Sequence, residues 1–286
     1  MIFITGGTGF VGRHLVARLL SAGEQVRLLV RGPADIPGTQ VVQGDLKDPS
    51  SFAESLKGCR AVIHLVGIIR ETGRNTFKRV HVVGTQNVVA ACKKAGVTRL
   101  LHMSALGARP DAPSRYHRSK WESEEIVRGS GLEATIFRPS VIFGAGNAFI
   151  PQIRDLLARG PVIPVIGNGM SLSQPIWVED VVSCFVDALG KPGTIGRFYQ
   201  LGGPETYGFE QLIDLVAEAD GVEKQKIHLP PILVRPVAAV MSRLSPGFPL
   251  TPDQLTMLLE DNICDIAQMQ ETFGLSPAFL RDHLSD

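Results

Sequence analysis

A short apolar strand that runs directly into a glycine-rich turn is the feature that most constrains how this chain folds. Residues 2–4 are apolar, and residues 5–12 read TGGTGFVG. A helix is predicted to follow, because Val11, Leu15 and Leu19 recur on one helical face. A strand, a Gly-x-Gly-x-x-Gly turn and a helix N-terminus together form a cradle for a pyrophosphate. The sequence therefore predicts a dinucleotide-binding unit at its start.

The spacing Gly-x-Gly-x-x-Gly is met by Gly7, Gly9 and Gly12. The glycines allow a sharp turn and let backbone N–H groups come close to a ligand. We expect the N–H groups of Phe10 and Val11 to bind the pyrophosphate, because they open the helix just beyond the turn.

Apolar strands and helical patterns alternate through the first half of the chain. Further strands are predicted at residues 25–30, 40–42, 61–65, 100–103 and 134–137. Alternation of this kind is typical of a doubly wound parallel sheet with right-handed crossovers, the Rossmann arrangement.

After Pro139 glycine, proline and asparagine become frequent, which indicates a less regular region. The predicted fold class is therefore α/β, a doubly wound parallel Rossmann sheet with a smaller, mixed C-terminal substrate domain. We expect residues 1–145 and 175–203 to form the dinucleotide-binding domain, and residues 146–174 and 204–286 the smaller one.

Composition narrows the class of protein. The formal net charge of +1 gives no reason to expect a nucleic-acid partner, and no apolar run reaches the ~20 residues that cross a bilayer. The chain starts directly in its first strand, so we expect no leader peptide and a cytoplasmic location. Four widely spaced cysteines and no clustered histidines indicate reduced thiols and no metal site.

A serine, a tyrosine and a lysine carry the predicted chemistry. Ser104 ends the fifth predicted strand, at the edge where open α/β sheets bind ligands. Tyr116 and Lys120 are four residues apart and face the same way on a helix. A phenol is a poor acid–base catalyst at neutral pH, and a nearby ammonium or an oxidised nicotinamide would lower its pKa. We therefore expect Ser104 to hold a substrate oxygen and Tyr116 to exchange a proton.

The residue after the second strand bears on the choice of cofactor. NAD-binding folds place an acid about 20 residues beyond the glycine turn, where it binds the ribose diol. Here that place is taken by Arg31, nineteen residues after Gly12. A guanidinium pairs well with a 2′-phosphate, so we expect NADP, with NAD as the less favoured alternative. Arg13 could add a second positive charge.

With these motifs in place, the chain resembles the short-chain dehydrogenase/reductase superfamily, in its extended or atypical group. In that group's turn the signature glycines correspond to Gly6, Gly9 and Gly12. The resemblance implies a catalytic triad of Ser104, Tyr116 and Lys120, with Lys120 also holding the ribose hydroxyls. It implies that the following residues bind the cofactor: Gly6, Thr8, Gly9, Phe10, Val11, Gly12, Arg31, Asp45, Leu46, Leu65, Val66, Gly67, Lys120 and Pro139.

A closer likeness comes from residues 116–122 (YHRSKWE) followed by residues 137–140 (FRPS). These resemble the NADPH-binding accessory subunit of mitochondrial complex I and its bacterial relatives. The mitochondrial members are regarded as structural cofactor binders without turnover. The resemblance thus implies a possible association with a respiratory complex, and it leaves the oligomeric state open.

Two positions depart from the extended group. His81 stands where many members carry an asparagine that orders a relay water, so His81 either replaces it or the relay is absent. The loop between Ser104 and Tyr116 is short for a sugar-nucleotide epimerase. Nucleotide-sugar chemistry is therefore less favoured.

Three functions remain open from the sequence. The first is an NADP-dependent oxidoreductase that acts on an apolar carbonyl or quinone-like substrate by hydride transfer. The second is a non-catalytic NADPH-binding assembly or accessory protein of a respiratory NADH dehydrogenase. The third is a nucleotide-sugar epimerase or dehydratase. An apolar substrate is suggested by residues expected to line the pocket of the smaller domain, namely Phe143, Phe149, Ile150, Ile163 and Ile166.

Overall fold

The structure, a computed structural model, describes residues 1–245, 248 and 250–284. The chain divides into two compact units. The first comprises residues 1–139, 178–201 and 267–275. The second comprises residues 140–177, 202–266 and those after 275.

A parallel sheet of seven strands forms the centre of the first unit and confirms the predicted fold class. Its strands are β1 (Ile2–Thr5), β2 (Val26–Val30), β3 (Thr39–Gln43), β4 (Ala61–His64), β5 (Arg99–Met103), β6 (Glu133–Pro139) and β11 (Phe198–Leu201). The order is β11-β6-β5-β4-β1-β2-β3, so the chain reverses direction along the sheet after β3. The sequence predicted the first six strands and missed β11, which pairs with β6 at one edge.

The middle strands are apolar on both faces because helices cover both sides of the sheet. Residues in register across three strands, Phe3, Val62 and Leu100, are fully buried. The helices of this unit are α1 (Phe10–Ser21), α2 (Gly84–Ala95), α3 (Arg115–Arg128), α5 (Val178–Gly190) and α9 (Ala267–Phe273). A π-helical segment, Lys78–Val83, leads into α2.

The second unit contains short two-stranded ladders and helices. Its strands are β7 (Ile142–Phe143), β8 (Val162–Ile166), β9 (Leu172–Ser173), β10 (Ile176–Trp177), β12 (Tyr207–Gly208) and β13 (Gln225–Leu229). Its helices are α4 (Phe149–Ala158), α6 (Phe209–Ala219), α7 (Pro231–Leu244) and α8 (Pro252–Leu258). Phe143, Ile150 and Ile163, expected to line a substrate pocket, are instead buried in the core that α4 and α6 form.

The two units differ from the segments expected from the sequence. Residues 140–145, 175–177 and 202–203 belong to the second unit, and residues 267–275 belong to the first. Residues 267–275 return to the first unit because of how they pack. Phe273 of α9 lies 4.9 Å from the ring of Tyr199 and 6.0 Å from that of Phe137, inside the core of the first unit.

Candidate active site

The predicted cofactor and catalytic residues follow the carboxyl ends of the parallel strands or lie on helices of the first unit. The turn of residues 6–12 follows β1, Arg31 follows β2, and Asp45 and Leu46 follow β3. Leu65, Val66 and Gly67 follow β4, Ser104 follows β5, and Pro139 ends β6. Tyr116 and Lys120 lie on α3. Parallel α/β sheets bind ligands at this edge.

The glycine turn is tightly closed. Gly6 has a φ of 81°, a conformation that favours glycine. A Cβ atom at Gly12 would lie 2.1 Å from the carbonyl oxygen of Gly6, so only glycine fits where α1 packs on the turn. Gly9 caps the helix, and the first turn of α1 contains no acidic residue. Because no side chain caps α1 among the described residues, the N–H groups of Phe10 and Val11 can donate hydrogen bonds to an anion.

The loop after β4 lies against both the glycine turn and α3. A Cβ atom at Gly6 would be 3.0 Å from the N atom of Val66. A Cβ atom at Gly67 would be 3.8 Å from Nζ of Lys120 and 3.6 Å from Nε2 of His81. The structure thus brings Gly6, Val66, Gly67, His81 and Lys120 together, as a dinucleotide that runs from the turn to α3 would need.

Lys120 is buried, and its Nζ donates a hydrogen bond of 2.6 Å to the carbonyl oxygen of Met103. An ammonium has three donors, and this is the one hydrogen bond that Nζ makes to the described residues, so two donors could serve a ligand. Burial lowers the pKa of Lys120 to about 8, and the carboxylate of Glu124 opposes this shift. At neutral pH the side chain is therefore still mostly an ammonium.

Ser104 follows Met103 directly and is buried. Its N–H donates to the carbonyl oxygen of Phe137 at 2.7 Å, which fixes its backbone. Its Oγ is shielded from solvent and has no hydrogen-bond partner in the part of the chain that the structure describes. A buried hydroxyl without a hydrogen-bond partner lowers the stability of the fold. This atom therefore suits a site where an oxygen of a ligand supplies the missing hydrogen bond.

Tyr116 lies in an aromatic surround, with ring centroids 5.9 Å from Phe77, 5.6 Å from His81 and 5.3 Å from His117. Burial raises the pKa of its phenol to about 12. Burial alone causes this shift, so the expected lowering by Lys120 is not found in the protein alone, and the phenol keeps its proton at neutral pH. A protonated phenol can donate a proton to a substrate oxygen.

His81 is fixed by hydrogen bonds at both ring nitrogens. Its Nε2 accepts from the N–H of Ile68 at 2.9 Å, so Nδ1 carries the proton and donates to Oγ of Ser119 at 2.8 Å. Ser119 in turn donates to the carbonyl oxygen of Tyr116 at 2.7 Å. Burial, with a smaller effect of the Lys120 charge, lowers the pKa of His81 to about 2. This histidine joins the β4 loop to the helix turn of Tyr116, and neither ring nitrogen is free to relay a proton.

Two further histidines lie near Lys120. His64 contacts the hydroxyls of Thr5 at 2.6 Å and Thr85 at 3.1 Å, and its ring is 5.3 Å from that of His102. Burial, with Lys120 as the second cause, lowers the pKa of His64 to about 3 and that of His102 well below its usual range. Both are therefore neutral.

Sequence analysis assigned no catalytic role to His64, His102 or Ser119. His64 pairs with His102 in the register of β4 and β5, which places both side chains on one face of the sheet. This pairing is seen only in the three-dimensional structure. His117 is buried, because its ring lies over the backbone of Gly107.

The remaining predicted residues lie farther along the sheet edge. Arg31 is exposed and makes no ion pair or hydrogen bond with the described residues. The Asp45 carboxylate pairs with Lys47 at 3.2 Å. Leu46 is buried, and its carbonyl oxygen accepts a hydrogen bond from Nδ2 of Asn87. These positions suit the adenosine end of a dinucleotide.

Between residues 1 and 284, apart from the undescribed positions, no group of three or more His, Cys, Asp or Glu side chains could hold a metal ion. No helix in the same ranges combines the length and the apolar character needed to cross a membrane.

Comparison with known families gives a match over most of the chain. A sequence profile described as the NAD dependent epimerase/dehydratase family covers residues 2–202. Among solved structures, a dTDP-glucose 4,6-dehydratase from Streptomyces venezuelae with bound NAD superposes with a TM-score of 0.79. It is 21% identical, and the match covers 99% of this chain and 94% of that one, so it shows a shared fold.

Curated relatives fall into two kinds. One is the mitochondrial protein named NADH dehydrogenase [ubiquinone] 1 alpha subcomplex subunit 9 of Arabidopsis thaliana, 30% identical over 82% of this chain and 62% of its own length. The other kind comprises reductases. A ceramide reductase of Caulobacter vibrioides is 36% identical over 65% of this chain and 60% of its own length. A ketoreductase of a farnesyl dihydroquinoline oxide from Stigmatella aurantiaca is 27% identical, and the match covers 80% of this chain and 75% of that protein. The chain spans about three fifths of the length of the first two relatives.

Proposed function

The chain belongs to the NAD-dependent epimerase/dehydratase family, a family of NAD(P)-binding proteins, and from that premise we propose that it is an NADP-dependent reductase of an apolar ketone. The observation that carries the proposal is the buried, unpartnered hydroxyl of Ser104, among the described residues, next to the Lys120–Met103 hydrogen bond.

Each residue then has a distinct role. The α1 N-terminus binds the pyrophosphate, and Lys120 uses its two spare donors for the ribose. Ser104 donates a hydrogen bond to the substrate carbonyl oxygen. Tyr116 donates its phenolic proton to that same oxygen as the carbonyl carbon is reduced, and it recovers the proton from solvent. A bound reduced nicotinamide would supply the hydride.

Tyr116 fits the role of the acid in a reduction. Burial raises the pKa of its phenol to about 12, so the phenol holds a proton that it can give to a carbonyl oxygen. The reductase relatives support the direction from carbonyl to alcohol.

The substrate class is proposed from the reductase relatives. The names of the two reductases specify a ceramide and a farnesyl-substituted quinoline oxide, both lipophilic compounds. A long-chain or prenylated ketone suits this chain on the same grounds. Arg31 supports NADP over NAD, and four free cysteines support a reducing, cytoplasmic location.

A non-catalytic accessory role in a respiratory NADH dehydrogenase is the second candidate. It is favoured by the likeness to the complex I subunit of Arabidopsis thaliana. Sugar-nucleotide chemistry, the third candidate, is supported by the family match and by the fold likeness to a dTDP-glucose 4,6-dehydratase.

The test is NADPH consumption with ceramide-type and prenylated ketones in mixed micelles. We expect turnover by the wild type, a loss of 10²–10⁴-fold in Tyr116→Phe, which is about the usual contribution of acid–base catalysis, and retained NADPH binding. Tyr207→Phe is the matched control, because its phenol bonds to Glu205 in the second unit. Tight NADPH binding without turnover on either substrate class would favour the accessory role instead.

A further inference from the structure

A fully buried carboxylate on α3 has no part in the proposed reaction steps. Glu124 is buried and lies one helical turn after Lys120, on the same face of α3. Its oxygens accept hydrogen bonds from Nε of Arg138 at 2.8 Å and from Nη2 of the same side chain at 2.6 Å. Arg128, one turn further along α3, donates to the same carboxylate. A bidentate pair of this kind fixes the positions of both charges.

The ion pair is shielded from water. The guanidinium of Arg138 lies 4.6 Å from the ring centroid of Phe198 and 5.6 Å from that of Trp121. The side chain of Arg138 is 11% exposed and that of Glu124 is 0% exposed. Buried ion pairs add little net stability, because the removal of two charges from water opposes their attraction. Stability alone therefore does not account for this pair.

The pair fixes α3 on the sheet beside the cofactor edge. Arg138 precedes Pro139 at the end of β6, so its pair with Glu124 holds α3 against β6. The hydrogen bond from Lys120 to the carbonyl oxygen of Met103 holds the same face of α3 against β5. The helix that carries the proposed acid is thus attached to both strands that end at the site.

Glu124 is also the anion that acts on Lys120. The other titratable groups near Lys120, on β4, the π-helical segment, β5 and α3, are all uncharged at neutral pH: His64, His81, His102 and Tyr116. The cations of Arg138 on β6 and Arg128 on α3 are both bonded to Glu124. Burial lowers the pKa of Lys120, and among the described residues the Glu124 carboxylate opposes that effect.

We propose that Glu124, held by Arg138, is a positioning residue of the dinucleotide site. Its carboxylate keeps the side chain of Lys120 an ammonium at neutral pH, and its ion pair sets the place of α3 against β6. The inference rests on the proposed role of Lys120 as a donor to the ribose. Without the carboxylate, burial would leave Lys120 more often as a neutral amine, which has fewer donors and no charge.

The first measurement is a ¹³C NMR titration of protein labelled at the lysine Cε atoms, in the absence of cofactor. The Lys120 signal is identified by its loss in Lys120→Arg. In the wild type we expect a midpoint at about pH 8. In Glu124→Gln the midpoint should fall by about one pH unit, because the neutral amide no longer opposes the effect of burial. Glu122→Gln, which removes an exposed carboxylate of α3, is the matched control and should leave the midpoint unchanged.

A second variant covers the loss of stability that Glu124→Gln brings. This change leaves Arg138 without its carboxylate, so thermal unfolding checks that the variant is folded. The double variant Glu124→Leu, Arg138→Met replaces the pair by apolar side chains of similar size, a change that proteins tolerate better. Its midpoint should also fall, and it decides the question if the single variant does not fold. An unchanged Lys120 midpoint in either folded variant overturns the proposal.

Calorimetry with NADPH between pH ~6 and ~9 tests the consequence for binding. Glu124→Gln should bind NADPH about threefold more weakly than the wild type at pH ~7.5, and nearly as well at pH ~6, where both hold an ammonium. An affinity loss that is the same at every pH, or no loss, would overturn the proposal. A lowered NMR midpoint with no NADPH binding by the wild type would instead reject the proposed cofactor site, and the effect of Glu124 on Lys120 would stand.

Discussion

The imidazole of His81 donates a hydrogen bond of 2.8 Å to the hydroxyl of Ser119. That hydroxyl in turn donates a hydrogen bond to the backbone carbonyl oxygen of Tyr116. Because Nε2 of the same ring accepts from Ile68, one neutral histidine joins the β4 loop to the turn that presents the phenol. His81 is therefore a positioning residue. It holds Tyr116 in place and takes no part in moving the proton.

Replacement of His81 should lower kcat without changing the pH profile of the reaction. His81→Ala leaves the Ile68 N–H and the Ser119 hydroxyl without their partner, at a cost of about 2–3 kcal/mol in stability. His81→Gln can still accept from Ile68 and should recover part of the loss. The measurements are thermal unfolding, NADPH affinity and the kcat profile against pH. A shifted apparent pKa in the profile of His81→Gln would show a proton relay, contrary to our assignment.

The proposed preference for NADP over NAD depends on Arg31. Its guanidinium is exposed just beyond β2 and has no ion pair or hydrogen bond with other described residues, so it can bind a 2′-phosphate. We expect Arg31→Ala to weaken NADPH binding about tenfold or more and to leave NADH binding nearly unchanged. Calorimetry with both dinucleotides measures this, with Arg159→Ala, an exposed arginine of the second unit, as the control. Equal affinity of the wild type for both would contradict the assignment.

Much of this site could be predicted because its elements are local in sequence. The glycine turn, the serine at a strand end and the Tyr–Lys pair each lie within a few residues, so spacing alone places them. The parts that sequence analysis missed depend on contacts between distant segments. Phe273 enters the first unit because it packs on Phe137 and Tyr199, and no local pattern reports that.

The residues expected to line a pocket illustrate the same limit. Phe143 and Ile163 are apolar, and apolar residues serve equally well in a core or in a pocket wall. The structure buries both in the second unit. Conversely, α7 has the apolar composition of a core helix, and only the three-dimensional fold shows that Leu233, Val237 and Leu244 are exposed.

The glycine turn should tolerate substitution very unevenly. A Cβ atom at Gly12 would lie 2.1 Å from the carbonyl oxygen of Gly6, whereas at Gly9 the nearest atom is that same oxygen at 3.2 Å. We expect Gly12→Ala to lower stability and abolish dinucleotide binding. Gly9→Ala should fold and bind more weakly, and Gly9→Val should block the approach of the pyrophosphate. Gly190→Ala, where nothing lies within 4 Å, is the control. Unchanged affinity in Gly9→Val would mean that the pyrophosphate binds elsewhere.

Stability should fall as the pH is lowered below about 6.5, the ordinary pKa of histidine. The pKa of His64 is about 3 and that of His81 about 2 in the folded protein, and that of His102 also lies well below its usual range. Below pH ~6.5 these histidines therefore bind protons in the unfolded chain and stay neutral in the folded chain. The stability that is present above this pH is lost as the pH falls.

Each buried histidine should lower the free energy of unfolding by about 1.4 kcal/mol between pH ~7.5 and ~5.5, so the three together lower it by roughly 4 kcal/mol. This window lies above the titration of ordinary carboxylates, at about pH 4, so it isolates the histidines. Urea unfolding across this pH window measures the slope of the unfolding free energy against pH in the wild type and in His64→Asn. The asparagine keeps a polar group near Thr5. The variant should lose about a third of the slope, with His228→Asn on the surface of the second unit as the matched control. An equal slope in the wild type and His64→Asn would mean that the buried ring takes up a proton without unfolding.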